Sequence, residues 1–222
     1  MRHWTTTQRV TRIGKPLVFV SGLLPLLWAA LAAFGIAGQQ LGANPVETLM
    51  DHFGNWSLYL IIAALAVTPI RRLTGWHWVG RFRRMIGLFT AFYVTLHLAV
   101  YALLDQGLAI QPIVEDILKR PFITLGILAW TILMALSATS LMAVRRRMGK
   151  RWQQLHNSVY LIGILAVWHF WWQVKKDITE PLLFSIMLAA LLGIRVFWRC
   201  QRTRSARTSA VTPATHGNAP SM

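Results

Sequence analysis

The chain has 222 residues, of which 55% are apolar and only 14% charged, at a mean hydropathy of +0.46. That is too little charge and too much grease for a soluble domain of this size, and the composition points to a membrane protein. The net charge of +16 is not a nucleic-acid signature, because the basic residues are not interleaved with base-stacking aromatics on one soluble face. The single cysteine excludes an iron-sulfur cluster held by this chain alone, a Cys-x-x-Cys-His heme attachment and an internal disulfide.

Six apolar segments follow one another: 17–37, 53–70, 85–104, 122–144, 158–174 and 182–198. Each has about the 17–25 residues that cross a hydrocarbon core as a helix. Strands are excluded because period-two alternation is absent and lipid leaves no free backbone group satisfied. The first segment has a basic leader and an Ala-rich end, but its apolar core is longer than the usual signal-peptide core of about 7–15 residues, so a retained span is expected. The fold class expected is therefore all-α, an integral membrane bundle of six transmembrane helices.

The loops alternate between two compositions. Arg2, Arg9, Arg12 and Lys15, then Arg71, Arg72, Arg81, Arg83 and Arg84, then Arg145, Arg146, Arg147, Lys150 and Arg151, and finally Arg195, Arg199, Arg202, Arg204 and Arg207 hold 19 of the 23 basic residues. All seven acids, Glu47, Asp51, Asp105, Glu115, Asp116, Asp177 and Glu180, fall in the other three loops. By the positive-inside rule both termini are cytoplasmic. The domain reading is a cytoplasmic segment over 1–16, a six-helix unit over 17–200 and a disordered cytoplasmic tail over 201–222. Such a tail is too short for a nucleotide-binding domain, and no Gly-rich dinucleotide fingerprint occurs, so a reductant would be external. No internal repeat stands out.

Seven histidines remain to be sorted. His3 and His216 lie in the tails, and His52 and His77 lie near loops beside Trp56, Trp76 and Trp78, where interfacial placement explains them. His97 and His169 differ, because ionisable residues well inside a span are costly and usually functional. Both lie on segments that run outward from a basic loop, about 20 Å from its inner end at 1.5 Å per residue. Two imidazoles at one depth suit the two axial positions of a heme iron, which then relays electrons rather than activating oxygen. The competing readings are histidines bonded to backbone carbonyls or to a hydroxyl such as that of Thr95, and a proton-coupled or metal transporter using the same pair. His156 lies at the mouth of the fifth segment, where an interfacial role and a cofactor role are equally open. Arg83 and Arg84 occupy the matching inner position of the third segment, where a guanidinium suits a heme propionate or a flavin phosphate, or simply marks the inner face. Trp168, Trp171 and Trp172 around His169 read as an interfacial belt.

Four short stretches carry a family resemblance: Thr68-Pro69-Ile70-Arg71-Arg72; Arg83-Arg84-Met85-Ile86-Gly87-Leu88 leading to Tyr93 and His97; Lys119-Arg120-Pro121-Phe122-Ile123-Thr124; and Trp152-Gln153-Gln154-Leu155-His156-Asn157-Ser158-Val159-Tyr160 leading to His169. In this order on six spans they resemble the MsrQ (YedZ) family. Its members are the heme-binding membrane subunits of the bacterial periplasmic methionine sulfoxide reductase system, with a ferric-reductase-like transmembrane domain. The resemblance implies a multi-pass protein of the bacterial inner membrane that binds one or two heme b groups and FMN. It would be an electron-transfer subunit rather than the catalytic one, taking electrons from quinol or a cytoplasmic flavin reductase and passing them to a periplasmic molybdenum subunit, MsrP. By the same resemblance His97 and His169 are ligands of the outer heme iron, and His156 serves an inner cofactor as a second iron ligand or beside the flavin. Gln154 and Asn157 stand where the family tends to have basic residues, which removes one support for an anion contact beside His156.

Overall fold

The computed structural model describes residues 5–174 and 177–211. Arg2, His3, Lys175, Lys176, His216 and the tail beyond residue 211 lie outside the described residues, and all regular structure among the described ones is helical. The chain forms α1 (Thr7–Ala33), α2 (Pro45–Thr74), α3 (Arg83–Asp105), α4 (Ile110–Lys119), α5 (Pro121–Ala138), α6 (Met142–Met148), α7 (Lys150–His156), α8 (Val159–Gln173) and α9 (Thr179–Val211).

Five of these, α1, α2, α3, α5 and α9, are long and apolar enough to cross a membrane. The fifth expected span appears as α8, whose 15 residues fall short of that length. The fourth was expected to run to Val144, but α5 stops at Ala138. There the Thr139 hydroxyl donates to the Ala135 and Leu136 carbonyls, and Leu141 is extended before α6 restarts. Hydroxyl side chains that bond nearby carbonyls compete with continuation of a helix. Past Cys200, α9 carries on to Val211.

Local chemistry sets the other boundaries. Asn44 caps α2 by accepting the Glu47 backbone N–H at 3.3 Å, Pro45 fills the first turn, and Gly75 ends the helix with φ +73°. Two internal prolines break backbone ladders that side chains then repair. Beside Pro25 in α1, the buried Tyr93 hydroxyl enters the ladder, donating to Gly22 O at 2.6 Å and accepting from Leu26 N at 3.2 Å. Pro69 in α2 has no N–H for the Leu65 carbonyl, and the guanidinium of Arg195 on α9 donates to that carbonyl instead.

α2 is the central helix. Leu58, Ile61 and Leu65 pack with Leu133 and Leu136 of α5, Ile162 and Leu165 of α8, and Phe184 and Leu188 of α9. A second cluster joins Ala29 of α1, Phe53 of α2, and Phe89, Tyr93 and Val100 of α3. Leu17, Phe19, Val20, Ile186, Val196 and Phe197 on α1 and α9 are exposed, as a lipid-facing surface requires. The closest pairings are α2 with α3 and α5 with α8.

Candidate functional site

Those two pairings deliver the two histidines. On α3, His97 Nδ1–H donates to the Met50 carbonyl of α2 at 2.9 Å; on α8, His169 Nδ1–H donates to the Phe122 carbonyl of α5 at 2.6 Å. A carbonyl can only accept, so the bond fixes the tautomer and leaves each Nε2 lone pair free. Glycine makes the approach close in both pairs. A Cβ at Gly54 would stand 3.2 Å from His97 Nδ1, and one at Gly126 would stand 3.2 Å from His169 Nδ1.

The rings face each other with centroids 6.2 Å apart and planes at 89°. Two imidazoles bound to opposite sides of one metal through bonds of about 2 Å place their centroids roughly 6 Å apart. Among the described residues no third His, Cys, Asp or Glu joins them as a metal-binding group. A pair of this kind suits an iron whose four remaining positions a macrocycle fills. Just beyond His97, α3 winds as a π-helix over Val100–Asp105, a feature frequent at functional sites.

Both rings line a cavity of about 470 Å³, within the range of about 300–1,000 Å³ typical of cofactor pockets. Its lining is apolar at Leu58, Ile61, Leu133 and Ile162, and polar or charged at Asn44, Glu47, Asp51, Asp105, Arg120 and Gln173. Arg120 pairs with Asp116 at 3.1 Å, and Asp116 also accepts from the Tyr101 hydroxyl at 3.0 Å. Three of the seven acids, Glu47, Asp51 and Asp105, therefore line this cavity. Thr95, a candidate partner for a buried histidine, is engaged elsewhere: its hydroxyl donates to Ala91 O at 2.8 Å and accepts from Trp130 Nε1 at 3.2 Å.

His156 is set apart from that cavity, at the basic end. It closes α7, and the turn at Asn157 and Ser158 separates it from α8, so His156 and His169 do not share one helix. Its Nδ1–H donates to Trp152 O at 3.1 Å, its ring stacks on Trp152 at 3.8 Å, and Arg145 covers the other part of that stack, 4.6 Å from the Trp152 ring. Burial pushes the His156 imidazole below its ordinary value, and the nearby Arg83 and Arg145 charges push the same way against the carbonyl bonds. Arg83 and Arg84 open α3 and are exposed; Arg83 lies within electrostatic reach of His156. His52 lies within the second turn of α2, where its Nε2–H donates to Pro25 O of α1 at 3.0 Å and its ring stacks on Trp28.

Sequence reasoning missed Gly54, Gly126 and Arg195. The two glycines sit one helical turn after the residues whose carbonyls hold the histidines, a placement visible only once the helices are paired.

Comparison with known proteins gives a consistent result. Residues 53–167 match the family described as "Ferric reductase like transmembrane component", a stretch that contains His97 and His156 and stops two residues before His169. A Bordetella pertussis protein, "Protein-methionine-sulfoxide reductase heme-binding subunit MsrQ", is 47% identical over 199 residues, covering 87% of this chain and 94% of that one. Proteins of the same name from Xanthomonas axonopodis pv. citri and Ralstonia nicotianae are each 45% identical over 206 residues, covering 91% of this chain and 94% and 91% of theirs. No solved structure matches.

Proposed function

The chain belongs to the MsrQ family of ferric-reductase-like membrane subunits, and from that premise we propose that it is a b-type cytochrome subunit that carries electrons across the bacterial inner membrane. The acceptor is a periplasmic MsrP-type molybdenum reductase that repairs oxidised methionines, and the donor is quinol or a cytoplasmic flavin reductase. The relatives' names state a heme-binding subunit of a protein-methionine-sulfoxide reductase, which supports both the cofactor and the partner. α8 serves as a sixth, short span of about 22 Å, both termini are cytoplasmic, and residues 17–200 form the membrane unit.

The observation that carries this reading is the facing pair of His97 and His169, with centroids 6.2 Å apart and both Nδ1 atoms held by helix carbonyls. Those bonds orient each ring, raise its basicity and present Nε2 to the metal. Bound heme supplies a one-electron couple with no open position for oxygen. The apolar part of the lining excludes water from the pair, and the polar part faces the periplasm, where the acidic loops guide an acceptor. At the cytoplasmic end, His156 with Arg83 and Arg84 holds a second cofactor, either another heme or FMN.

The test is a reduced-minus-oxidised visible spectrum of the purified protein beside His97→Ala, His169→Ala and His156→Ala. The reading expects a low-spin b-type signal that is lost in the first two variants and retained in part in the third. Folded wild-type protein that shows no heme signal after heme is supplied would overturn it.

A further inference from the structure

Four basic residues stand apart from the inner groups, in the acid-rich segments: Lys119, Arg120, Lys175 and Lys176. The positive-inside rule does not account for a cation there. Lys175 and Lys176 lie outside the described residues, and Lys119 is engaged in an exposed pair with Glu115 one turn earlier. Arg120 differs, because among the described residues it is the one Lys or Arg that lines the histidine cavity. Its backbone is fixed at the junction of α4 and α5. The N–H donates to Asp116 O at 2.8 Å, the carbonyl accepts from Ile123 N at 2.9 Å, and the following Pro121 keeps the residue extended, at φ −116° and ψ 92°. Asp116 also holds the side chain, with Oδ1 3.1 Å from Arg120 Nε. The other Asp116 oxygen accepts from the Tyr101 hydroxyl at 3.0 Å and from the Gln106 amide at 3.4 Å. The guanidinium is thereby tied to both histidine pairs: Tyr101 follows His97 by one turn of α3, and Phe122, whose carbonyl holds His169, comes just after Pro121. Asp116 engages Nε, while the Nη donors make no hydrogen bond among the described residues.

Two axial imidazoles fix where a heme iron sits but leave the macrocycle free to turn about the line joining them. What sets the turn must act on the rim, where the propionates carry the charge. Glu47, Asp51 and Asp105 also line the cavity, and each repels a carboxylate. We propose, on the cytochrome reading given above, that Arg120 orients the heme by binding a propionate, while the three acids turn that edge away from themselves. Guanidinium and carboxylate match through forked hydrogen bonds. With 57% of its side chain exposed, Arg120 keeps its charge without a full desolvation penalty and still presents it to the cavity.

The experiment titrates full-length protein in detergent with heme b and with its dimethyl ester, which keeps the iron and the macrocycle but has no free carboxylate, and follows the Soret band. The wild type binds heme b about tenfold more tightly than the ester. R120Q loses that preference through weaker binding of heme b, with ester affinity unchanged, and R120K, which keeps the charge but not the fork, retains part of it. D116N breaks the same ion pair as R120Q but leaves the guanidinium in place, so it keeps the preference; a D116N protein that behaves like R120Q would make the pair merely structural and overturn the proposal. Equal affinity for the two hemes in the wild type, a comparison that needs no variant to fold, overturns it as well, and so does an undiminished preference in R120Q. Equal binding of both hemes with the low-spin spectrum leaves the cytochrome reading intact, whereas binding of neither removes that reading and the proposal with it.

Discussion

Replacing Gly126 or Gly54 by alanine separates the stability of the bundle from its capacity to hold heme. A methyl at Gly126 would lie 3.2 Å from both Nδ1 and Cε1 of His169, and one at Gly54 would lie 3.2 and 3.3 Å from Nδ1 and Cε1 of His97. Comfortable contacts lie at about 3.5–4.0 Å, so each ring must retreat by about 0.3 Å or more. The bond that orients the ring runs to the carbonyl one turn away on the same helix, at 2.6 Å for His169 and 2.9 Å for His97. Retreat therefore lengthens that bond toward the limit of useful geometry. Loss of such an outer-shell partner costs about 10–100-fold in metal affinity.

Helix propensity acts in the opposite direction, since alanine favours a helix by about 0.8–1.0 kcal/mol over glycine. Each variant should keep or raise the unfolding temperature of the heme-free protein while binding heme about 10–100-fold more weakly. Gly87→Ala on α3 is the control: nothing lies within 4 Å of its Cβ position, so it should gain stability and leave heme affinity unchanged. Heme titration monitored in the Soret region, beside thermal unfolding of the same preparations, reads both quantities. Wild-type heme affinity in Gly54→Ala and Gly126→Ala would refute the idea that close glycine contacts and carbonyl bonds position the ligands.

Tyr93→Phe should lower stability by about 1–3 kcal/mol, because Leu26 N and Gly22 O lose the hydroxyl that joins them beside Pro25; thermal unfolding should fall while the heme spectrum stays put. His156 is depressed by burial, so between its folded value and the ordinary value of about 6.5 the unfolded chain binds more protons. Stability then rises with pH, is fully present above about 6.5, and declines as pH falls toward the folded value; unfolding temperatures across this window should show a shallower slope in His156→Phe. On α4, Ile110, Val114 and Leu118 form an exposed apolar stripe, 77%, 48% and 78% accessible, which should lie in the outer membrane interface. Single cysteines there carrying a fluorophore should be quenched by lipid-borne nitroxide, and one at Glu115 should not.

The sequence made the helical membrane architecture legible because lipid imposes it: long apolar runs and the alternation of basic and acidic loops need no tertiary information. His97 and His169 were legible for the same reason, as ionisable groups where such groups are expensive. The end of α5 at Ala138 was not, because apolar residues continue to Val144 and only the hydroxyl chemistry of Thr139 marks the stop. Arg195 was counted among the cytoplasmic basic residues, where charge alone explained it. Its partnership with Leu65 depends on a proline 126 positions earlier and on how α9 crosses α2.

The histidine sites also reveal an order that the sequence conceals. His97 bonds the carbonyl of the residue 47 positions before it, and so does His169. The close glycine is 43 positions before the histidine in both cases. The α2–α3 and α5–α8 pairs therefore repeat the same arrangement with a shift of 72 residues, as Met50, Gly54 and His97 become Phe122, Gly126 and His169. No repeat stood out along the chain because little of it is specified by residue type. A carbonyl can come from any residue, which is why methionine and phenylalanine are equivalent there. Only glycine and histidine must recur, and the rest of each pair answers to different surroundings: α2 sits at the centre of the bundle, while α5 and α8 complete its wall. Two pairs built alike deliver their rings to one cavity, with centroids 6.2 Å apart. That is the placement two axial ligands of a single iron require.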